Sequence, residues 1–413
     1  MAHVGHCNQR VVNAVQQQVS LVNTNSRYLH PNLCILASRL SSLLPDPLEV
    51  VFFVNSGSEA NDLALRLARA HTQSCHTIVL DHAYHGHTLA NLAVSPYKYT
   101  KTREHSAIKH EQADKIHKAP APDMYRLPPE LEGKHELDIP LSYASHVKKV
   151  IENIQHQNSF PCAPTLIMES GMSVAGVILP PPLYFETVAT HVHDAGGLWI
   201  ADEVQTGFGR LGHDSMWAFP CNIVPDIVTV GKPFGNGMPL AAVITSKNIA
   251  NSFDSMGVEY FNTFGGNPVC AAAGLAMLDE LESRKLPLHA SRVGRYLKQS
   301  LEKLRDQEGC DLIGEVRGQG LFLGIDLVRC PISKEPATAE ASFLCTILKS
   351  KYHILTSLDG PYNNVFVIKP PMVFSIQDAD FFISSLTKAI KVHLKEYFER
   401  ADNETLPISH TPT

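Results

Sequence analysis

The stretch spanning residues 198–232 constrains this chain most. It reads Leu198-Trp199-Ile200-Ala201-Asp202-Glu203-Val204-Gln205, passes through Gly207-Phe208-Gly209-Arg210, and ends in Ile227-Val228-Thr229-Val230-Gly231-Lys232. Two short apolar runs each stop at a charged residue, the first at Asp202 and the second at Lys232. Such runs, bounded by turn residues, read as buried parallel strands. In open α/β sheets, ligands sit outside the carboxyl ends of the strands. A carboxylate and an amine are thus delivered to one sheet edge. Burying either alone is costly, so a shared partner is expected.

Residues 49–54 (Glu-Val-Val-Phe-Phe-Val) form another run, which leads into Asn55-Ser56-Gly57-Ser58-Glu59-Ala60-Asn61-Asp62. Ser56 with Glu59 is a capping-box pattern, and Ala60, Leu63, Ala64, Leu67 and Ala68 recur with helical spacing. Strand, Gly-Ser turn and helix start together point free backbone N–H groups at an anion. The alternative is a plain, well-capped helix. Residues 77–80 are a further strand, followed by Asp81-His82-Ala83-Tyr84-His85-Gly86-His87. Three histidines so close invite a metal, but their spacing is neither HExxH nor a Cys/His finger, and no metal is expected. An aromatic beside Gly after a strand end can instead stack on a planar ring.

Strand ends therefore supply Asp81, Glu169, Asp202 and Lys232. Any one of them could be an ordinary surface charge; together with a phosphate-type helix start they are less easily dismissed. A cofactor that needs both an amine and a carboxylate is pyridoxal phosphate (PLP), whose aldehyde joins a Lys and whose pyridinium nitrogen wants an acid. Gly207-Phe208-Gly209-Arg210-Leu211-Gly212 also fits GxGxxG, with Asp226 beyond it. A dinucleotide site is disfavoured there, because no glycine follows the strand directly and Pro220 with Pro225 breaks any long helix.

Elsewhere, helices are expected about residues 9–22, 144–156, 184–195 and 269–283, and strands at 165–168 and 241–245. Residues 98–141 are polar and weakly periodic, and read as a long surface excursion. Beyond residue 282 the texture changes. Helices about 291–305, 339–351 and 377–400, with a strand-like 321–327, make residues 283–400 a smaller α+β domain after a large α/β domain of residues 1–282. Residues 401–413 read as a disordered tail. A chain of 413 residues that is 44% hydrophobic and 18% charged can bury a large core. A formal charge of −6 without a basic block argues against a nucleic-acid partner. No apolar run approaches the roughly 18 residues of a spanning helix. The 9 cysteines are scattered without a CxxC pair, which fits a reducing intracellular compartment. The opening Met1-Ala2-His3-Val4-Gly5-His6 has no signal-peptide pattern.

Five segments in order carry a resemblance: Asn55–Asp62, Ala83-Tyr84-His85-Gly86, Ala201–Arg210, Gly231–Gly237 and Asn262-Thr263-Phe264-Gly265-Gly266-Asn267-Pro268. They resemble the class III pyridoxal-phosphate aminotransferases, through to about residue 395. The resemblance implies an α/β, fold-type I PLP enzyme working as a homodimer or homotetramer. Asn23–His30, Leu80–His87, Ser95-Pro96-Tyr97-Lys98, Pro336-Ala337-Thr338 and Lys369-Pro370-Pro371-Met372 look like the phospho-lyase branch, which acts on phosphoethanolamine or 5-phosphohydroxy-lysine. Val204-Gln205-Thr206-Gly207 and Met238–Val243 are closer to the alanine–glyoxylate aminotransferase branch. The phospho-lyase is favoured; a class III transaminase and a truncated, non-catalytic homologue are the alternatives.

Carried over, Lys232 would be the Schiff-base lysine and proton carrier, Asp202 the partner of the pyridinium nitrogen, and Gln205 that of the ring hydroxyl. Tyr84 and Val204 would cover the ring faces, and Ser56, Gly57, Ser58 and His85 belong to the cofactor-binding set. Thr263 would reach the phosphate from the partner subunit. Glu169 would lie at the reacting face. Arg27 is the candidate for the substrate phosphate, on charge alone. A mitochondrial location is favoured over a cytosolic one on resemblance only. The family has several dozen residues before Val4-Gly5-His6-Cys7, a segment that is not seen here. Asn8 and Gln9 stand where the branch usually has His-Pro, and Met238 where it has His.

Overall fold

The computed structural model describes residues 2–98, 113–157, 162–213, 215–257 and 259–396. Seven strands form one sheet: β1 (Val50–Val54), β2 (Thr77–Leu80), β3 (Ile116–Ala119), β4 (Thr165–Glu169), β5 (Leu198–Asp202), β6 (Ile227–Val230) and β7 (Ala241–Thr245). Their order is β1-β7-β6-β5-β4-β2-β3. Strands β3, β2, β4, β5 and β6 run parallel, while β7 is antiparallel to both β6 and β1. The period of two explains the apolar runs: Leu166, Met168, Trp199 and Ala201 face one apolar cluster, and Ile167, Leu198 and Ile200 the other. Both faces are covered, so no polar residue alternates along these strands.

The helices in chain order are α1 (Gln9–Leu21), α2 (Pro31–Ser42), α3 (Gly57–Thr72), α4 (Leu89–Ala93), α5 (Ile139–Gln157), α6 (Tyr184–Asp194), α7 (Lys247–Asp254), α8 (Pro268–Ser283), α9 (Leu286–Arg305), α10 (Thr338–Tyr352) and α11 (Ile376–Lys388). Helix α3 packs into the cluster holding Ile167 and Ile200, and α8 into the opposite one. An antiparallel sheet follows from β8 (Ile313–Gln319), β9 (Phe322–Cys330), β10 (Glu335–Pro336), β11 (Ser357–Asp359) and β12 (Val365–Ile368). With α10 and α11 it gathers a separate apolar cluster that begins at Leu297, whereas Leu286, Ala290 and Val293 of α9 join the first. Among the described residues no helix is long and apolar enough to cross a membrane.

Several elements depart from expectation. The excursion read over 98–141 contains β3, a parallel edge strand on β2, and α5 starts at Ile139. The segment Ile-His-Lys-Ala carries no apolar run because an edge strand needs none. Helix α2 opens with Pro31 at its first position, behind His30 as the cap. Strands β8 and β12 were not anticipated. The final α-helix ends at Lys388 and continues as a π-helical turn over Ala389–Leu394. Residues 397–413, with the tail expected there, lie outside the described residues.

Candidate active site

Glu169 ends β4 and Asp202 ends β5, and the two are direct partners in the parallel register. Backbone pairing therefore sets two carboxylates side by side at the carboxyl edge of the sheet. Asp202 is 4% exposed. Its Oδ2 accepts from Asn61 Nδ2 at 2.7 Å and His85 Nδ1 at 2.8 Å, and its Oδ1 from the Val204 N–H at 3.0 Å. Asn61 Oδ1 takes the Thr229 hydroxyl at 2.7 Å, which fixes the amide with its donor toward Asp202. The Nε2 of His85 is buried and has no partner among the described residues.

Glu169 accepts from the Tyr84 N–H at 3.0 Å and the Ser173 N–H at 3.2 Å. Burial, more than any neighbour, pushes its carboxyl up to about 7. His85 and Lys232 oppose the shift, and the Asp202 carboxylate adds to it.

The start of α3 forms the next wall. Ser56 Oγ accepts the Glu59 N–H at 3.2 Å. The expected capping box is only half made, because the Glu59 carboxylate reaches one residue further back, to the Asn55 N–H at 3.0 Å, and also takes Asn262 Nδ2 at 2.8 Å. The N–H groups of Gly57 and Ser58 belong to the helix's first turn, which has no carbonyls behind it. A Cβ on Gly57 would come within 2.6 Å of Val204 Cγ1, so glycine there lets the helix start and the chain after β5 approach closely. Lys232 follows Gly231 after β6; its side chain is exposed and makes no hydrogen bond among the described residues.

These groups line one cavity of about 310 Å³. Lys232, Asp202 and Glu169 line it, as do Ser56, Gly57, Ser58, Tyr84, His85, Val204 and Gln205. Asp81 turns aside to Lys118 Nζ at 3.2 Å. Thr263 and Arg27 do not line the cavity. Both are exposed, on segments joined by the Ser26 hydroxyl donating to Asn262 O at 2.7 Å, with the Arg27 guanidinium 4.8 Å from the centre of the Phe261 ring. Among the described residues, no group of three or more His, Cys, Asp or Glu side chains could hold a metal.

Three further groups carry no site role in the sequence analysis. Asn61 lies one helical turn after Gly57, so its spacing was the available signal. Ser173 Oγ accepts from Gln205 Nε2 at 3.2 Å and from Lys369 Nζ at 2.5 Å. Lys369 directly follows the apolar run of β12, as Lys232 follows that of β6 after Gly231, but neither Lys369 nor Ser173 lines the cavity. Burial lowers its ammonium to about 8; Lys232 and Arg210 lower it too, against Asp359 and Glu169.

The raised Glu169 carboxyl has a consequence for stability. Between its ordinary 4.5 and about 7, the folded chain holds a proton that the unfolded chain has released. Stability must then fall as pH rises through that window, by roughly 3 kcal/mol for a shift of this size. Urea unfolding of cofactor-free protein at pH 5 and pH 7.5 is expected to give a smaller difference for Glu169→Gln than for the parent. An unchanged difference would rule out Glu169 as the titrating group.

Comparison with known proteins identifies the family. The family model described as "Aminotransferase class-III" matches residues 1–390. The chain is 41% identical over 407 residues to "Alanine--glyoxylate aminotransferase 2-like" of Drosophila melanogaster, covering 98% of this chain and 80% of that protein. It is also 41% identical over 390 residues to "Ethanolamine-phosphate phospho-lyase homolog 1" of Caenorhabditis elegans, covering 90% and 79%. A solved phospholyase from Arthrobacter in complex with phosphoethanolamine superposes with a TM-score of 0.83 at 35% identity, covering 95% of this chain and 88% of that one. The chain belongs to the class III aminotransferases, a family of pyridoxal-phosphate enzymes with the α/β architecture of fold-type I.

Proposed function

We propose that the chain is a PLP-dependent phospho-lyase, which eliminates phosphate from a small phosphorylated amine such as phosphoethanolamine or 5-phosphohydroxy-lysine. The donor set fits PLP. Asp202 offers a buried, oriented carboxylate to the ring nitrogen, and Lys232 offers a side-chain amine to the aldehyde. The Gly57 and Ser58 N–H groups suit the cofactor phosphate. Tyr84 and Val204 serve as the two ring faces. Gln205 Nε2 spends one N–H on Ser173 and keeps a second for the ring hydroxyl. When bound, PLP supplies an electron sink for the carbon bearing the substrate amine.

The residues then divide the work. Lys232 takes the proton from the amine-bearing carbon. Asp202 holds the acid form of the ring nitrogen. Lys369 meets the phosphate that departs from the neighbouring carbon. The observation that carries the phospho-lyase reading is Lys369 itself, a half-buried ammonium that bonds the Ser173 hydroxyl beside Gln205 of the cavity and, with Asp359 and Glu169 in its field, keeps further N–H donors for a phosphate. The phospho-lyase name of the nematode relative and the phosphoethanolamine in the Arthrobacter complex support the same substrate class. A transaminase would differ in where Lys232 returns the proton, and the fly relative favours that reading at equal identity.

The same proposal makes the enzyme a homodimer. Tyr28, Leu29, Phe261 and Phe264 are exposed around Arg27 and Thr263, and a second copy covering them would bring both residues toward its own cavity. On resemblance the enzyme works in the mitochondrion; fractionation that finds it in the cytosol would contradict this.

The test is inorganic phosphate release from PLP-loaded protein given phosphoethanolamine and, separately, 5-phosphohydroxy-lysine. Release with ammonia and without a keto acid is expected from one of them. It should weaken above about pH 8, as Lys369 loses its proton, and fall roughly 10- to 100-fold at limiting substrate in Lys369→Met. Amino transfer from alanine to glyoxylate without phosphate release would assign the transaminase instead.

A further inference from the structure

We propose that Met238 gates an apolar annex to the cofactor cavity, and that the annex takes the aliphatic arm of an amine substrate. The proposal rests on the reading that Lys232 receives an amine in that cavity.

Met238 lines both the 310 Å³ cavity and a second hollow of about 230 Å³. The far wall of the hollow is α1, through Val11, Val12 and Val15. The turn containing Asn236 and Gly237 closes another side. The two asparagines of its lining are already engaged. Asn236 Oδ1 takes the Val4 N–H at 2.9 Å, and its Nδ2 donates to Gly5 O at 3.3 Å. Asn8 Oδ1 caps α1 by accepting from the N–H groups of Arg10 and Val11, and its Nδ2 donates to Glu280 Oε1 at 3.0 Å. The valines and the Met238 thioether make the apolar part of the lining, beside Gln16 and the Cys7 thiol. Such a wall recognises methylenes, each worth about fourfold in affinity when buried.

Met238 is built to move only its side chain. Its N–H donates to Gly235 O at 3.0 Å, and a Cβ on Gly235 would come within 2.1 Å of the Met238 carbonyl oxygen, so the backbone is packed tightly there. The thioether arm has three rotatable bonds and adapts to irregular space. Rotation of that arm joins the two spaces without disturbing Lys232.

The test measures dissociation constants of ethylamine, butylamine and hexylamine for PLP-loaded protein, by titration calorimetry and by the change in visible absorption. The parent is expected to bind hexylamine at least tenfold tighter than ethylamine. Met238→Ala should raise that ratio severalfold, and Val15→Phe, which fills the annex from α1, should reduce it at least fivefold. Val12→Phe serves as the second variant from the same wall. A ratio that neither wall variant lowers overturns the annex, even if Met238→Ala alters binding. A preparation that takes up no cofactor would instead overturn the PLP reading on which the annex rests.

Discussion

The carboxylate of Asp202 is removed from water at the end of a central strand, and three donors replace the water. A buried, unpaired carboxylate would cost several kcal/mol, and in practice it would neutralise by taking up a proton. The Asn61 amide, the His85 imidazole and the Val204 N–H come from three separate parts of the chain. Each must be in place for the site to exist, so the fold of the helix start after β1, the loop after β2 and the turn after β5 are tied to one charge. Glu169, its register partner, receives two backbone N–H groups and no others among the described residues, and sits with its carboxyl raised. Two acids side by side thus have different surroundings, three donors around Asp202 and two around Glu169.

Close backbone approach is the second constraint. Gly57 and Gly231 lie against Val204, with little room for a Cβ at either, so the three strand-to-turn segments meet around one small volume. The sheet order places these segments together: β5 and β6 are neighbours, and α3 lies across both on the face holding Ile200 and Ile227. The second sheet adds Lys369 from the end of β12. Burial lowers the Lys369 ammonium to about 8, with Lys232 and Arg210 adding to the shift and Asp359 and Glu169 opposing it.

Much of this was legible because buried parallel strands announce themselves. The runs ending at Glu169, Asp202 and Lys232 have no polar alternation, since helices cover both sides, and their last residues are where chemistry collects. The Asn55–Asp62 segment was legible as a helix start with spare N–H groups. What escaped followed other rules. β3 is an edge strand whose sequence, Ile116-His117-Lys118-Ala119, carries the signature of neither a core strand nor a loop. β12, Val365-Phe366-Val367-Ile368, has the same run-then-lysine form as β6, but it lies in an antiparallel sheet formed with distant partners, and the bond of Lys369 to Ser173 is a tertiary fact. Asp81 stands at a strand end as Asp202 does, yet its side chain turns to Lys118 on the neighbouring strand. Strand-end position therefore nominates residues, and packing around each decides which of them enter the site.

The measurement that bears most directly on the account is visible absorption during titration of the protein with PLP, for the parent, Lys232→Ala and Asp202→Asn. A visible band is expected in the parent and lost in Lys232→Ala, with a band of altered position or pH dependence in Asp202→Asn and all three proteins folded by circular dichroism. A band of unchanged position in Lys232→Ala would contradict this, because the amine at the end of β6 would then not be the group that receives the cofactor.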